Sequence, residues 1–504
     1  MQRKLSFTRY AGFLLILLIL SVLSRFLFLT NKPIHFDEGI NGWFVMQMKL
    51  TGFYKYDPTN YHGPLHFYVL ALFEYLFGRS VETLRAVPAF FGVLSVMFVG
   101  FDLFATRRMR IPLAIFLLLS TAFIFFGRSG IHEMPFVFFQ LVMAAGLLRW
   151  IEGTKDSKAF SLVLVGLWGM MLLKETFAVS LFAWGVAYLS LGYTEVRALF
   201  FKSTWAPVWN RKVRLLSLGL IAGFVLFFTG FMLNPHGFLD FFIAFLPWMK
   251  TGTHGNGHEK EFLYWVKVLA QAEPLVLLGI ATSIVGIFTK NKAFRAVSVF
   301  ALVQLLVYSL IPYKTVWCML TLVWGFYFSL AYALVHWKNR VVHTGLIVLT
   351  VLLSVVQLKS TYESNYKSPI NMDHPYVYVN STYELKDFVD FLATQFKAHP
   401  AWNQETIQVG MREQWPWPWI FHAYPHLDYN VCGDYIKENS LVYLCDTVDM
   451  AKAESKFTQS YLKVIITFRQ AKDSSVIYLR ATEFEALYPG QFLKLEAPKR
   501  QETP

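Results

Sequence analysis

The chain is short of charge and of cysteine. Of its 504 residues only 16% are Asp, Glu, Lys or Arg, against about 25% in an average soluble domain. Intrinsic disorder, which needs high charge and low hydrophobicity, is excluded. Three cysteines are too few for a disulfide scaffold or a multi-cysteine metal site. No internal repeat and no low-complexity tract is present. Apolar side chains, in contrast, are abundant: 55% of residues are hydrophobic and 18% aromatic. That composition fits a polytopic membrane protein. A net charge of +13 on a soluble chain would suggest nucleic acid as a partner. Here the chain is too apolar for that, and the location of the positive charge becomes the question.

The charge is unevenly spread. Residues 358–504 carry 15 Lys and Arg against 18 Asp and Glu, whereas residues 1–357 carry 31 against 15. The basic excess therefore lies in the apolar part. That part contains runs near the length of about 20 residues that crosses a bilayer. About eleven spans are expected, near 10–30, 83–105, 111–127, 135–150, 159–173, 176–192, 215–233, 274–289, 294–311, 316–336 and 341–357. Two shorter apolar stretches, 40–50 and 64–77, read as interfacial helices. Alternate connections hold 19 basic residues against Asp102, Glu152, Asp156 and Glu195. The positive-inside rule puts that side, and the N-terminus, in the cytoplasm. The run Ala11–Thr30 is longer than a signal-peptide core and no Ala-x-Ala site follows, so it reads as an uncleaved span. The expected organisation is a membrane domain, 1–357, and an extracytoplasmic domain, 358–504. In the latter, Tyr376–Val379, Thr406–Val409, Leu441–Leu444, Lys463–Thr467 and Val476–Leu479 read as strands. Glu384–Lys397 and Val448–Phe457 have helical periodicity. The alternation suggests a small α/β domain. No Gly-rich loop follows a strand there, so nothing points to nucleotide binding. Cys432 and Cys445 share that domain, and a disulfide and two free thiols both fit.

Ionisable residues near a membrane are costly and mark functional sites. Here they gather at the outer ends of spans: His35-Phe36-Asp37-Glu38, Tyr61-His62-Gly63, Arg128 to Glu133, Lys174-Glu175, and Pro312-Tyr313-Lys314. Adjacent carboxylates such as Asp37 and Glu38 suit a general base or a cation site. They equally suit a helix start, with Asp37 as the cap and Glu38 in the first turn. Arg128 suits phosphate because it is always charged and fork-shaped. It equally suits an ion pair with Glu133. Lys174 and Lys314 read either as cations for an anionic group or as snorkelling side chains at helix ends. His62, beside Gly63-Pro64, is a ligand or a turn residue. His254, His258 and Glu259 form a weak metal pattern in a Gly-rich loop. Trp415, Trp417 and Trp419, with prolines between, suit packing or a carbohydrate platform. Taken together, carboxylates among cations at an outer membrane face suit a reaction on a lipid-linked anion.

This pattern resembles the GT-C superfamily of membrane glycosyltransferases, which includes the protein O-mannosyltransferases and the lipid A aminoarabinose transferase. Asp37-Glu38 matches the acidic motif of the first outer loop, 40–50 and 64–77 match the interfacial pair, and Glu133 matches the second acidic site. The sequence is most similar to a prokaryotic subfamily described as flippase-activity-associated. The likeness is carried by His35-Phe36-Asp37-Glu38, Tyr61-His62-Gly63-Pro64, Lys174-Glu175-Thr176, Pro312-Tyr313-Lys314-Thr315, His374 to Tyr378 and Gln414 to Trp419. One departure matters: the aminoarabinose transferase has Glu-Lys-Pro where this chain has His62-Gly63-Pro64, so His62 or another cation replaces that lysine.

The resemblance implies a glycosyltransferase that moves a sugar, with inversion, from a polyprenyl-phosphate donor to an acceptor hydroxyl at the outer face of the membrane. It implies Asp37 as base, Glu38 as its partner or a cation ligand, and Glu133 as a second acidic residue. His62, Arg128, Lys174 and Lys314 would hold the donor phosphate. His35, Tyr61, His132, Glu175 and Tyr313 would line the substrate. The only cofactor it leaves open is a divalent cation on Asp37 and Glu38. The implied partners are the lipid-linked donor, the bilayer, and an unspecified glycan, lipid or protein acceptor. No nucleic acid is implied. Two other readings remain: a flippase or transporter for a lipid-linked sugar, and a non-catalytic partner in envelope-glycan assembly.

Overall fold

The computed structural model describes residues 2–60, 62–101, 107–199, 205, 208–253, 258–469, 473–485, 487 and 493–495. Tyr61 and His254 therefore lie outside the described residues. The chain forms two compact units. One is Met1–Asn31 with Phe44–Tyr376, and the other is Lys32–Trp43 with Val377–Pro504.

The first unit is helical, and all eleven stretches expected to span contain helix. Five helices are long and apolar enough to cross a bilayer: Val81–Gly100, Glu133–Ile151, Lys292–Leu310, Val316–His336 and Arg340–Lys367. A sixth is broken, with Met109–Leu119 and Thr121–Arg128 meeting at 59°. Tyr10–Phe26, Ser157–Met171, Phe177–Leu189 and Pro274–Ile287 are apolar but shorter. At about 1.5 Å per residue, the helix Phe177–Leu189 is roughly 20 Å long, less than the roughly 30 Å hydrocarbon core. The membrane is nonetheless written on the surface. Helix Arg340–Tyr362 exposes Val341, Val351, Leu352 and Val355, and Leu15, Ile16, Ile19 and Leu20 do the same on the first helix. Contiguous exposed apolar faces of this size mark contact with lipid or protein.

The expected interfacial helices are also present. The stretch 40–50 lies within Phe36–Thr51, and 64–77 is the helix Pro64–Phe77. Proline at the first position suits the latter, since its missing N–H has no intrahelical partner there.

The second unit contains a six-stranded sheet. Its strands are β1 (Ile407–Gly410), β2 (Leu427–Asp428), β3 (Val442–Asp446), β4 (Tyr461–Arg469), β5 (Asp473–Arg480) and β6 (Leu493–Leu495). The order is β2-β1-β3-β5-β4-β6. β1 pairs in parallel with β2 and β3, and the other pairs are antiparallel. The expected strand Tyr376–Val379 does not form. Beside it only isolated bridges form, Asn380 with His35 and Ser381 with Arg469, because the short run ends before it can build a ladder. The expected helix Val448–Phe457 shrinks to Met450–Glu454. Helix Tyr383–Ala398 buries Leu385, Phe388, Leu392 and Phe396, the one-face repeat expected of it. Thr382 caps that helix by accepting from the Leu385 N–H. Cys432 and Cys445 form a disulfide within a core that includes Tyr443, Phe457 and Tyr478.

Candidate active site

The acidic segment belongs to the second unit. The helix Phe36–Thr51 begins two residues earlier than an Asp37 cap requires. His35 stands in the capping place, and this corrects the sequence expectation of an Asp37 cap. Glu38 Oε2 reaches back to accept from the His35 N–H at 2.8 Å, as the third residue of a helix does in a capping box. The His35 ring completes the start of the helix. Its Nδ1 accepts from the Asp37 N–H at 3.1 Å, and its Nε2 lies 2.8 Å from the Tyr378 carbonyl. A carbonyl only accepts, so Nε2 carries the proton and Nδ1 the lone pair. Nδ1 also lies 4.0 Å from Asp37 Oδ2. Glu38 is fully buried, whereas the Asp37 side chain keeps 30% of its surface. Asp37 sits in the first turn, where the positive end of the helix dipole favours a carboxylate. Burial and the Asp37 charge push the Tyr378 phenol up, which keeps it a neutral hydroxyl.

A second cluster lies in the first unit. Lys174 Nζ donates to Glu133 Oε1 at 2.7 Å, and both side chains are buried. Glu133 opens the helix Glu133–Ile151, and Lys174 lies in the link between Ser157–Met171 and Phe177–Leu189. Burial alone would lower the lysine pKa. The Cys318 sulfur and the Glu133 carboxylate outweigh it and hold the pKa above the ordinary lysine value. His132 lies 3.5 Å from Glu133 Oε1. Burial, with His62 and Lys174 beside it, pushes its pKa well down, so this ring is neutral. Its centroid is 4.1 Å from that of His62.

The His62-Gly63-Pro64 turn is pinned to the same link. Gly63 N–H donates to Leu173 O and Leu65 N–H to Leu172 O, each at 3.0 Å. A Cβ at Gly63 would stand 2.2 Å from the Leu172 oxygen, so only glycine fits there. The neighbouring Glu175 accepts from the Tyr56 hydroxyl at 2.9 Å. Burial raises Glu175 to about 7, against the Tyr56 bond and the Lys174 charge.

The remaining sequence candidates have other contacts. Arg128 donates to the carbonyls of Leu27 and Phe28 at 2.5 and 2.8 Å, and its guanidinium lies 4.8 Å from the centre of the Tyr366 ring. It also donates to the carbonyls of Ser24 and Arg25 at 3.4 and 3.5 Å, and so satisfies the open end of the first helix, Gln2–Phe26. Lys314 Nζ donates to the carbonyls of Lys260 and Ile311 at 3.1 and 2.5 Å. Burial lowers its pKa. Tyr313 packs edge-on against His258, with ring centres 5.2 Å apart.

Sequence reasoning singled out neither Cys318, 4.0 Å from Lys174, nor Glu273. Glu273 is fully buried. It accepts from Ser120 Oγ at 2.9 Å, the Ala122 N–H, and the Tyr327 and Tyr376 hydroxyls. It thereby bolts the break in the bent helix, and burial raises it to about 7. The available signal was a carboxylate directly before an apolar run that starts with proline.

Among the described residues, no three or more His, Cys, Asp and Glu side chains gather as a metal site. In the acidic segment both His35 nitrogens and Glu38 Oε2 are engaged in the helix start.

No family model and no curated protein matches the sequence. Solved structures do match. The ArnT of Cupriavidus metallidurans bound to undecaprenyl phosphate aligns at a TM-score of 0.60 and 12% identity, over 94% of this chain and 97% of that one. Its apo state aligns at 0.62 and 12%, over 94% and 98%. The chain therefore has the fold of that ArnT across nearly its whole length: a polytopic helical membrane part followed by a small α/β domain.

Proposed function

We propose that the chain is a glycosyltransferase that moves a sugar from a polyprenyl-phosphate donor to an acceptor hydroxyl at the outer face of the cytoplasmic membrane. The observation that carries this reading is Asp37, a partly exposed carboxylate at a helix start, in a chain with the fold of a transferase crystallised with undecaprenyl phosphate. Asp37 takes the proton of the acceptor hydroxyl. The freed oxygen attacks the anomeric carbon, and the carbon–oxygen bond to phosphate breaks with its electron pair passing to the phosphate. Polyprenyl phosphate leaves, and the sugar is inverted. Lys174 and His62 bind the donor phosphate. Glu133 orients Lys174, and Glu38 and His35 hold the helix that carries Asp37. The basic connections put the N-terminus in the cytoplasm.

A positioned base contributes roughly 10²–10⁴-fold. Asp37→Asn is therefore expected to lower transfer at least 100-fold while the protein still folds and inserts. Mass spectrometry of lipid-linked sugars and envelope glycans checks this in cells carrying either form. Accumulation of one polyprenyl-phosphate sugar, with loss of one glycan, supports the reading. Normal glycans in the Asp37→Asn cells overturn it.

A further inference from the structure

The motif Gln414-Trp415-Pro416-Trp417-Pro418-Trp419 has no part in the chemistry proposed above, yet it touches the acidic segment inside the second unit. Trp417 is core: it is fully buried and stacks on Phe421 with ring centres 5.4 Å apart. Its neighbours face the first turns of the helix Phe36–Thr51. A Cβ on Gly39 would stand 2.6 Å from Pro416 Cβ, and one on Gly42 would stand 2.2 Å from the Trp419 indole. Trp43 meets Trp415 edge-on at 5.8 Å. The Arg469 guanidinium lies 5.3 Å from the centre of the Phe36 ring.

Residues 36, 39 and 43 follow the spacing of one helix face, and 42 borders it. Asp37 lies about 150° around the helix from the middle of that stripe, at 100° per residue. One side of the helix is thus a seat and the other presents the carboxylate. The Trp419 Nε1 is buried without a hydrogen-bond partner among the described residues. The indole is therefore there for its shape.

We infer that Pro416 and Trp419 are positioning residues: they set where Asp37 stands by seating Gly39 and Gly42. The inference rests on Asp37 being the base. A shift of about 1 Å in a reacting group can cost about 100-fold in rate. Gly42→Ala should produce such a shift, because the new methyl must move either the helix or the indole. Alanine is the better helix former, so the helix itself is not weakened.

The test uses the full chain in proteoliposomes. The donor is the total lipid-linked sugar fraction from cells lacking the chain, and the acceptor is the envelope fraction of the same cells. Gly42→Ala is expected to lower the maximal rate at least tenfold while the apparent donor KM stays within twofold. Gly42→Ala with Trp419→Leu, which clears room for the methyl, should regain at least fivefold over the single variant. A wild-type rate for Gly42→Ala, or no recovery in the double variant, overturns the inference. Should Gly42→Ala aggregate, Trp419→Ala removes the seat without a clash. It should lower the maximal rate with KM unchanged, and a wild-type rate there overturns the inference as well. Asp37→Asn is run alongside. Full transfer by that variant removes the base and the positioning together. An inactive Asp37→Asn beside a fully active Gly42→Ala removes only the positioning.

Discussion

The Lys174–Glu133 pair allows stability and ligand binding to be separated in one set of variants. The two groups are 2.7 Å apart, with 8% and 2% of their surface exposed. Removing one partner of a buried pair leaves the other charge uncompensated and costs about 3–5 kcal/mol. Lys174→Met and Glu133→Met should each destabilise by that amount. Removing both leaves no charge behind, and an apolar replacement of a buried pair is often neutral or stabilising. The double variant should therefore lie within about 2 kcal/mol of the wild type, which amounts to a coupling of at least about 4 kcal/mol. Unfolding in mixed micelles, followed by tryptophan fluorescence, measures all four proteins. Binding of undecaprenyl phosphate is measured on the same samples. If Lys174 contacts the phosphate, its loss removes a charged hydrogen bond worth roughly 1.5–3 kcal/mol. Affinity should then fall at least about tenfold in Lys174→Met and equally in the double variant, although the latter has regained its stability. Single variants that cost under about 1 kcal/mol, or a double variant as unstable as the sum of the singles, would refute the reasoning about the pair. Wild-type binding by the double variant would refute the phosphate role.

Three further outcomes follow from the geometry. Glu175 has its pKa raised to about 7 in the folded protein, so the unfolded chain gives up this proton near 4.5 and the folded chain holds it longer. Stability from this group is fully present below pH 4.5 and is lost as pH rises to about 7, roughly 3 kcal/mol in all; Glu175→Gln should flatten the stability curve between pH 5 and 7, and an unchanged slope would count against the shift. Glu38 acts through its bond to the His35 N–H, so Glu38→Gln, which keeps an acceptor, should retain transfer within threefold, whereas Glu38→Ala should lose about 1 kcal/mol of stability; a tenfold loss of activity in Glu38→Gln would instead give the charge a direct role. Arg128 closes the end of the first helix through the carbonyls of Ser24, Arg25, Leu27 and Phe28, and lysine lacks the fork that spans them; Arg128→Lys should cost roughly 1.5–3 kcal/mol in unfolding with the donor KM unchanged, and a raised KM would restore it as a phosphate ligand.

The fold was legible because its signals are local. An apolar run of span length declares itself within about 20 residues, and helix Tyr383–Ala398 buries the repeat that its sequence displays. The site was legible in its residue types and much less so in its pairings. Arg128 was the nearest cation to Glu133 along the chain, yet the partner is Lys174, 41 residues away. What brings that lysine in is the antiparallel packing of the helices Glu133–Ile151 and Ser157–Met171, which meet so closely that a Cβ on Gly146, Gly166 or Gly169 would overlap the facing helix. Side-chain spacing carries no trace of it. The helix start failed in a related way. Asp37 has good capping chemistry, but His35 has both the Tyr378 carbonyl and the Asp37 N–H within reach, and Tyr378 lies far along the chain. Glycine is a poor helix former, and Gly39 and Gly42 sit inside the helix Phe36–Thr51. They become intelligible only once Pro416 and Trp419 are known to lie against them. Sequence therefore shows which residues carry chemistry, because ionisable groups at the ends of apolar spans are expensive wherever they occur. It hides the groups that orient them, since each is supplied by a distant segment whose own local pattern has a second, ordinary explanation.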